Sequence, residues 1–159
     1  MKRIGVIGIG NPLRKDDGVG IVLLEKLIEK KDELPDSVEF IDGGTGGMNV
    51  LHLLGHFDIA IILDAVNFDG HHGESRLFTL DEVHSQKISL GMSTHESDLL
   101  KVIQLSKELK ECPDELFIFG IQPKDTSFGS NLSSELQHNI EPLLIRLKTE
   151  IEAIFNKKK

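Results

Sequence analysis

Residues 57–66 read FDIAIILDAV, and this stretch decides the fold. Five consecutive apolar residues, Ile59-Ala60-Ile61-Ile62-Leu63, sit between two aspartates. A short, near-continuous apolar run of this kind describes a central parallel strand covered on both faces. Asp64 closes it. An aspartate at the end of a buried strand has to be solvated, paired or bound to a cation, because burying a bare charge is costly.

Working outward, residues 3–9 and 37–41 read as further buried strands, 115–121 (ELFIFGI) as the last core strand and 74–80 as an edge strand. Helices alternate with them. Residues 19–31 set Val19, Val22, Leu23 and Leu27 against a wet side of Glu25, Lys26, Glu29 and Lys30. Residues 48–54 form a short helix closed by Gly55. Residues 93–110 open with Ser93 and Glu96 at capping-box spacing and carry Leu99, Val102, Ile103 and Leu109 as a buried stripe. The final helix covers 132–155, with a kink or break expected at Pro142, and the lysines at 157–159 are expected to fray. The alternation predicts an α/β three-layer sandwich: a mainly parallel five-stranded central sheet with helices on both faces, in one domain spanning 1–159.

Ligands of such sheets bind beyond the carboxyl ends of the strands. Three strand ends carry unusual polar sequence: residues 8–17, residues 42–47, and Asp64. The fold predicted here sets all three along one edge.

The formal charge of −8, from 18 basic and 26 acidic residues, argues against a nucleic-acid binder and against an anionic membrane as partner. The single cysteine, Cys112, rules out an internal disulfide and a cysteine zinc site. We read it as structural. The opening MKRIGVIGIG is too short and glycine-cut for a signal peptide, and no later stretch is long and apolar enough to span a bilayer. These features predict a cytoplasmic protein.

Gly8-Ile9-Gly10 after a strand invites a dinucleotide-binding reading, but the third glycine of that motif is replaced by Leu13. Asp16 and Asp17 also occupy the helix N-terminus where a phosphate would sit. One of them is expected to cap the helix. The other is left at the mouth of the sheet as a metal ligand or substrate contact. His95 stands in the first turn of a helix, where a neutral imidazole is favoured, the form that ligates a metal or acts as a base. Two carboxylates and one imidazole give at most three protein donors, which suits nickel or zinc held transiently with positions left open. The run Asp42-Gly43-Gly44-Thr45-Gly46-Gly47 is too glycine-rich for an ordinary connection and reads as a pliable wall of a peptide-binding cleft. His52 and His56 have a spacing that permits metal binding, but neither they nor His71, His72, His84 and His138 are assigned a role.

Taken in order, these motifs resemble those of the hydrogenase maturation proteases. Gly8-x-Gly10-Asn11 with Asp16-Asp17-Gly18-x-Gly20 is similar to the family's opening signature, and Asp42-Gly43-Gly44-Thr45-x-Gly47 to its glycine loop. Asp64-Ala65, Thr94-His95 and Gly120-Ile121-Gln122-Pro123 match later segments. The resemblance implies an endopeptidase that removes the C-terminal extension of a nickel-iron hydrogenase large-subunit precursor after nickel insertion. It implies metal-contacting and catalytic roles for Asp17, Asp64 and His95, and substrate selection by the 42–47 loop. Nickel would be supplied by the substrate, with no permanently bound cofactor. Many relatives have glutamate at the first acidic position; Asp17 has a shorter reach. Two other readings remain: a nickel carrier without protease activity, which would use the same three residues, and a nucleotide-binding module built on Gly8 and Gly10.

Overall fold

The computed structural model describes residues 2–85 and 94–157; at 83–85 and 94–98 it describes the backbone alone. The chain runs β1 (Ile4–Gly8), α1 (Val19–Glu29), β2 (Val38–Asp42), α2 (Met48–Leu54), β3 (Ile59–Ala65), β4 (Ser75–Thr79), α3 (Leu80–Ser85), α4 (Thr94–Glu108), β5 (Glu115–Ile121) and α5 (Ser134–Lys157). The strands form one sheet in the order β2-β1-β3-β5-β4, parallel except for β4, which pairs antiparallel with β5. This is the mainly parallel five-stranded sheet that residues 57–66 predict.

The apolar run of β3 is continuous because its two faces meet different layers. Ile59, Ile61, Leu63 and Ala65 pack with Leu23, Leu24 and Leu27 of α1 and Leu143, Leu144 and Leu147 of α5. Ala60 and Ile62 pack with Val50, Leu51 and Leu54 of α2 and Leu99, Val102 and Ile103 of α4. Each buried leucine or isoleucine stabilises this arrangement by about 2 kcal/mol. Successive side chains of a strand alternate between faces, so Asp64 belongs to the side covered by α2 and α4.

Three local expectations change. α5 runs unbroken through Pro142, with Leu136 and Ile140 before it and Leu143, Leu144 and Leu147 after it all buried. That packing outweighs the roughly 3 kcal/mol that an internal proline costs. α5 extends to Lys157, past the expected end at 155, while residues 158–159 lie outside the described residues. The short helix α3 follows the edge strand directly and had no sequence signal of its own. The capping box expected of Ser93 and Glu96 falls outside what is described, and α4 begins at Thr94.

Candidate active site

The three polar strand ends are joined by backbone hydrogen bonds. The Ile9 N–H donates to the Leu63 carbonyl at 2.9 Å, and the Gly43 N–H to the Gly8 carbonyl at 2.8 Å. The Gly10 N–H donates to the Gly44 carbonyl at 2.9 Å. The loop after β1, the glycine loop and the end of β3 therefore meet at one edge.

Glycine makes the close packing possible. A Cβ on Gly10 would lie 2.1 Å from the Asp17 carbonyl oxygen, and one on Gly20 would lie 2.2 Å from the Leu63 carbonyl oxygen. These contacts press the 3-10 turn Lys15–Gly18, which carries both aspartates, onto β3. They also answer the dinucleotide reading: the space over Gly10 is filled by the main chain of Asp17 and not left for a pyrophosphate.

The two neighbouring aspartates divide their work, and neither caps α1 as expected. The cap position of that helix is Gly18, without a side-chain bond. Asp16 is fully buried. Its Oδ2 accepts the backbone N–H groups of Lys124 and Asp125, both at 2.9 Å. It also accepts the Ser133 hydroxyl at 2.8 Å, while Oδ1 accepts the Ser133 N–H at 2.7 Å. Asp16 is thus the anchor between the turn and the loop that leads from β5 to α5. Asp17, 2% exposed, accepts the Asn11 N–H at 3.1 Å. Asp64 is 0% exposed at the end of β3.

The turn pressed onto β3 brings Asp17 and Asp64 to the same edge. His95 lies in the first turn of α4, one turn before Leu99, in the layer on the Asp64 side; its side chain is outside the described residues. Among the described residues, no three His, Cys, Asp or Glu side chains group closely enough to hold a metal ion.

Gln122 holds the exit of β3. Its Oε1 accepts the N–H groups of Phe68 and Gly70 at 2.8 and 3.1 Å, and its Nε2 donates to Asn67 Oδ1 at 3.0 Å. Two residues that sequence reasoning passed over stand out at the same edge: Leu13, 68% exposed, and Phe128, 81% exposed. The available signal was an isolated large apolar residue inside a polar, turn-rich loop, where no core explains it.

A mainly parallel sheet whose first three strands end in polar loops at one carboxyl edge has the architecture in which α/β proteins bind their ligands. The family model for hydrogenase maturation proteases matches residues 22–150. The hydrogenase 2 maturation protease of Escherichia coli is 32% identical over 142 residues, covering 89% of this chain and 86% of the relative. The hydrogenase expression/formation protein HupD of Bradyrhizobium diazoefficiens is 33% identical over 141 residues, covering 88% of this chain and 73% of its own length. The structure of the hydrogenase maturating endopeptidase HybD of E. coli superposes with a TM-score of 0.81 at 30% identity, covering 95% of this chain and 93% of that one.

The chain belongs to the hydrogenase maturation protease family. Its activity is that of an endopeptidase that processes the C-terminus of a nickel-iron hydrogenase large subunit. Among the described residues no helix is long and apolar enough to cross a membrane.

Proposed function

We propose that Asp17, Asp64 and His95 form the working site, and that they read nickel carried by the large-subunit precursor before the tail is cut. The observation that carries this is the burial of two carboxylates, Asp17 at 2% and Asp64 at 0% exposure, at one end of β3. Carboxylates set in a water-poor site attract a divalent cation far more strongly than they would in bulk water, and the ion arriving with the substrate supplies that charge. Oxygen donors plus one imidazole suit a borderline ion such as nickel. A carboxylate in this position can also take a proton from the attacking water as a general base.

The loop Asp42-Gly43-Gly44-Thr45-Gly46-Gly47 is proposed as the wall against which the peptide lies. Gly47 supports this: a Cβ there would meet nothing within 4 Å, so the fold alone does not demand a glycine. An unfilled space beside the main chain lets a peptide approach closely. We place the reaction in the cytoplasm, where nickel-loaded precursor would be met before assembly.

The test is to incubate the protein with nickel-loaded and nickel-free precursor and weigh the products by mass spectrometry. The expected result is one shortened product from the loaded form only, and none with Asp64→Asn. Equal cleavage of the two forms would remove nickel from recognition. Repeated absence of cleavage by the unaltered protein would favour the carrier reading.

A further inference from the structure

Leu13 and Phe128 are loop residues that the fold exposes and yet holds firmly. The loops after β1 and β5 are stitched by a short parallel bridge between Arg14 and Gly129. The Gly129 N–H donates to the Leu13 carbonyl at 2.9 Å, and the Lys15 N–H to the Gly129 carbonyl at 3.0 Å. The Arg14 guanidinium lies 5.5 Å from the centre of the Phe128 ring, and its Nε donates to the Thr126 carbonyl at 3.1 Å. Lys15 is held at φ 44, in the left-handed region that lysine avoids, while its Nζ contacts Asp125 Oδ2 at 3.0 Å. Asp125 in turn accepts the Ser127 N–H at 2.9 Å and its hydroxyl at 2.6 Å. Strain of this kind persists where the surroundings over-determine it, and it clusters at functional sites.

The same turn runs on from Leu13 and Arg14 into Asp16 and Asp17. The apolar pair and the acidic pair are therefore one rigid unit, with the pair standing outside the acids. A pre-ordered apolar contact lowers the ordering cost of binding. An exposed phenylalanine stacked under arginine is the sort of anchor that dominates interface energetics.

We propose that Leu13 and Phe128 are the docking contact for the large-subunit precursor, seating an apolar side chain of that protein next to its tail. This rests on the reading of the acidic site given above. Two arguments favour the precursor over a second copy of this chain. The pair is continuous with the turn that carries Asp17, the acid that the precursor's tail must reach on that reading. The pair also offers roughly 300 Å², far below the about 800 Å² per partner of a stable interface, which fits a transient encounter with a substrate.

The test uses the full chain and purified nickel-loaded precursor. Phe128→Ala and Leu13→Ser are each expected to raise KM about tenfold, with kcat within about twofold and an unchanged thermal midpoint. Phe128→Leu, which keeps an apolar side chain, is expected to recover most of the affinity. Ile145→Ser removes an apolar residue, 65% exposed, from α5 and should leave KM where it was. The dissociation constant of the precursor is also measured in an Asp64→Asn background, with and without Phe128→Ala. If Asp64→Asn still cuts normally, the acidic-site reading fails while the docking measurement still stands. If Phe128→Ala and Leu13→Ser leave KM and the dissociation constant unchanged, the docking proposal is overturned. It is also overturned if sedimentation shows that they only abolish a self-associated form.

Discussion

The carboxylate of Asp16 accepts both the backbone N–H and the hydroxyl of Ser133, at 2.7 and 2.8 Å, across 117 positions of sequence. Together with the two N–H groups it takes from Lys124 and Asp125, this makes one buried acid the fastening between the turn that bears Asp17 and the loop that bears Phe128.

Removing that acid strands four donors at once. Hydrogen bonds to a charged group contribute about 1.5–3 kcal/mol each, and their losses are not additive. Asp16→Ala is therefore expected to destabilise the protein by about 4 kcal/mol, read as a fall in the denaturation midpoint in urea. Ser133→Ala removes one donor to that carboxylate and should cost about 2 kcal/mol. An Asp16→Ala protein as stable as the parent would show that the network contributes nothing.

Gly10 tests the packing account of the glycine signature. A methyl there would lie 2.1 Å from the Asp17 carbonyl oxygen, which is backbone and cannot swing aside. Gly10→Ala is expected to cost about 3 kcal/mol or more by overpacking, with no change in calorimetric titrations against dinucleotides, which should show no binding before or after. Tight dinucleotide binding by the parent would reinstate the nucleotide reading.

Much of this could be read from the chain because local pattern determines it. The apolar run at 59–63 needs no distant information to be a central strand, and the polar ends at Gly8, Asp42 and Asp64 follow from strand direction alone. What could not be read depended on partners far along the chain. Asp16 and Asp17 are identical neighbours, and only the loop at 124–133 tells them apart. Pro142 sits where local propensity predicts a break, and tertiary burial on both sides of it overrides that propensity. The exposed positions of Leu13 and Phe128 follow from a bridge between two loops that sequence spacing does not announce.

The glycine loop separates fold from function at two of its positions. Gly44 has φ +62, a left-handed conformation that costs an alanine about 1–2 kcal/mol. Gly47 has no such φ, and a side chain on it enters open space. Gly44→Ala should lower stability by about 1 kcal/mol. Gly47→Ser, which supplies a hydroxyl at the cap position of α2, should hold or slightly raise stability while raising KM for the precursor several-fold. Unchanged KM in Gly47→Ser would take that position out of the peptide wall.

Acid should loosen the 123–135 segment before the sheet. The Lys124 ammonium bonded to Glu135, helped by the Ser134 hydroxyl, lowers the Glu135 carboxyl from its ordinary 4.5 to about 2. The Ser127 hydroxyl and N–H, with Lys15, hold Asp125 well below the usual carboxylate range. A group depressed in the folded state contributes stability that is fully present above its unfolded value and lost as the pH falls through the folded one. Between pH 4.5 and about 2 the segment should therefore lose protection. Hydrogen exchange, corrected for the intrinsic rate at each pH, should show this in residues 124–134 before β1 and β3. Glu135→Gln should flatten the dependence, and an unaltered profile in that variant would mean Glu135 has no part in it.

If Asp17 and Asp64 grip the same cation, their contributions to processing cannot be independent. Each carboxylate removed as its amide, Asp17→Asn or Asp64→Asn, leaves the side-chain volume almost unchanged and takes away one charge. Each is expected to lower kcat/KM by about 100-fold or more, the scale of losing a group that acts on charge at the reacting centre. Residues that work as a unit are strongly non-additive, so the double variant should be little worse than the worse single one. Two acids acting at separate places would instead multiply, to about 10,000-fold. The comparison is made with nickel-loaded precursor under single-turnover conditions, so that product release does not mask the chemical step. Circular dichroism of each variant confirms that the fold survives. Multiplicative losses would separate the two aspartates into different tasks and dissolve the shared site.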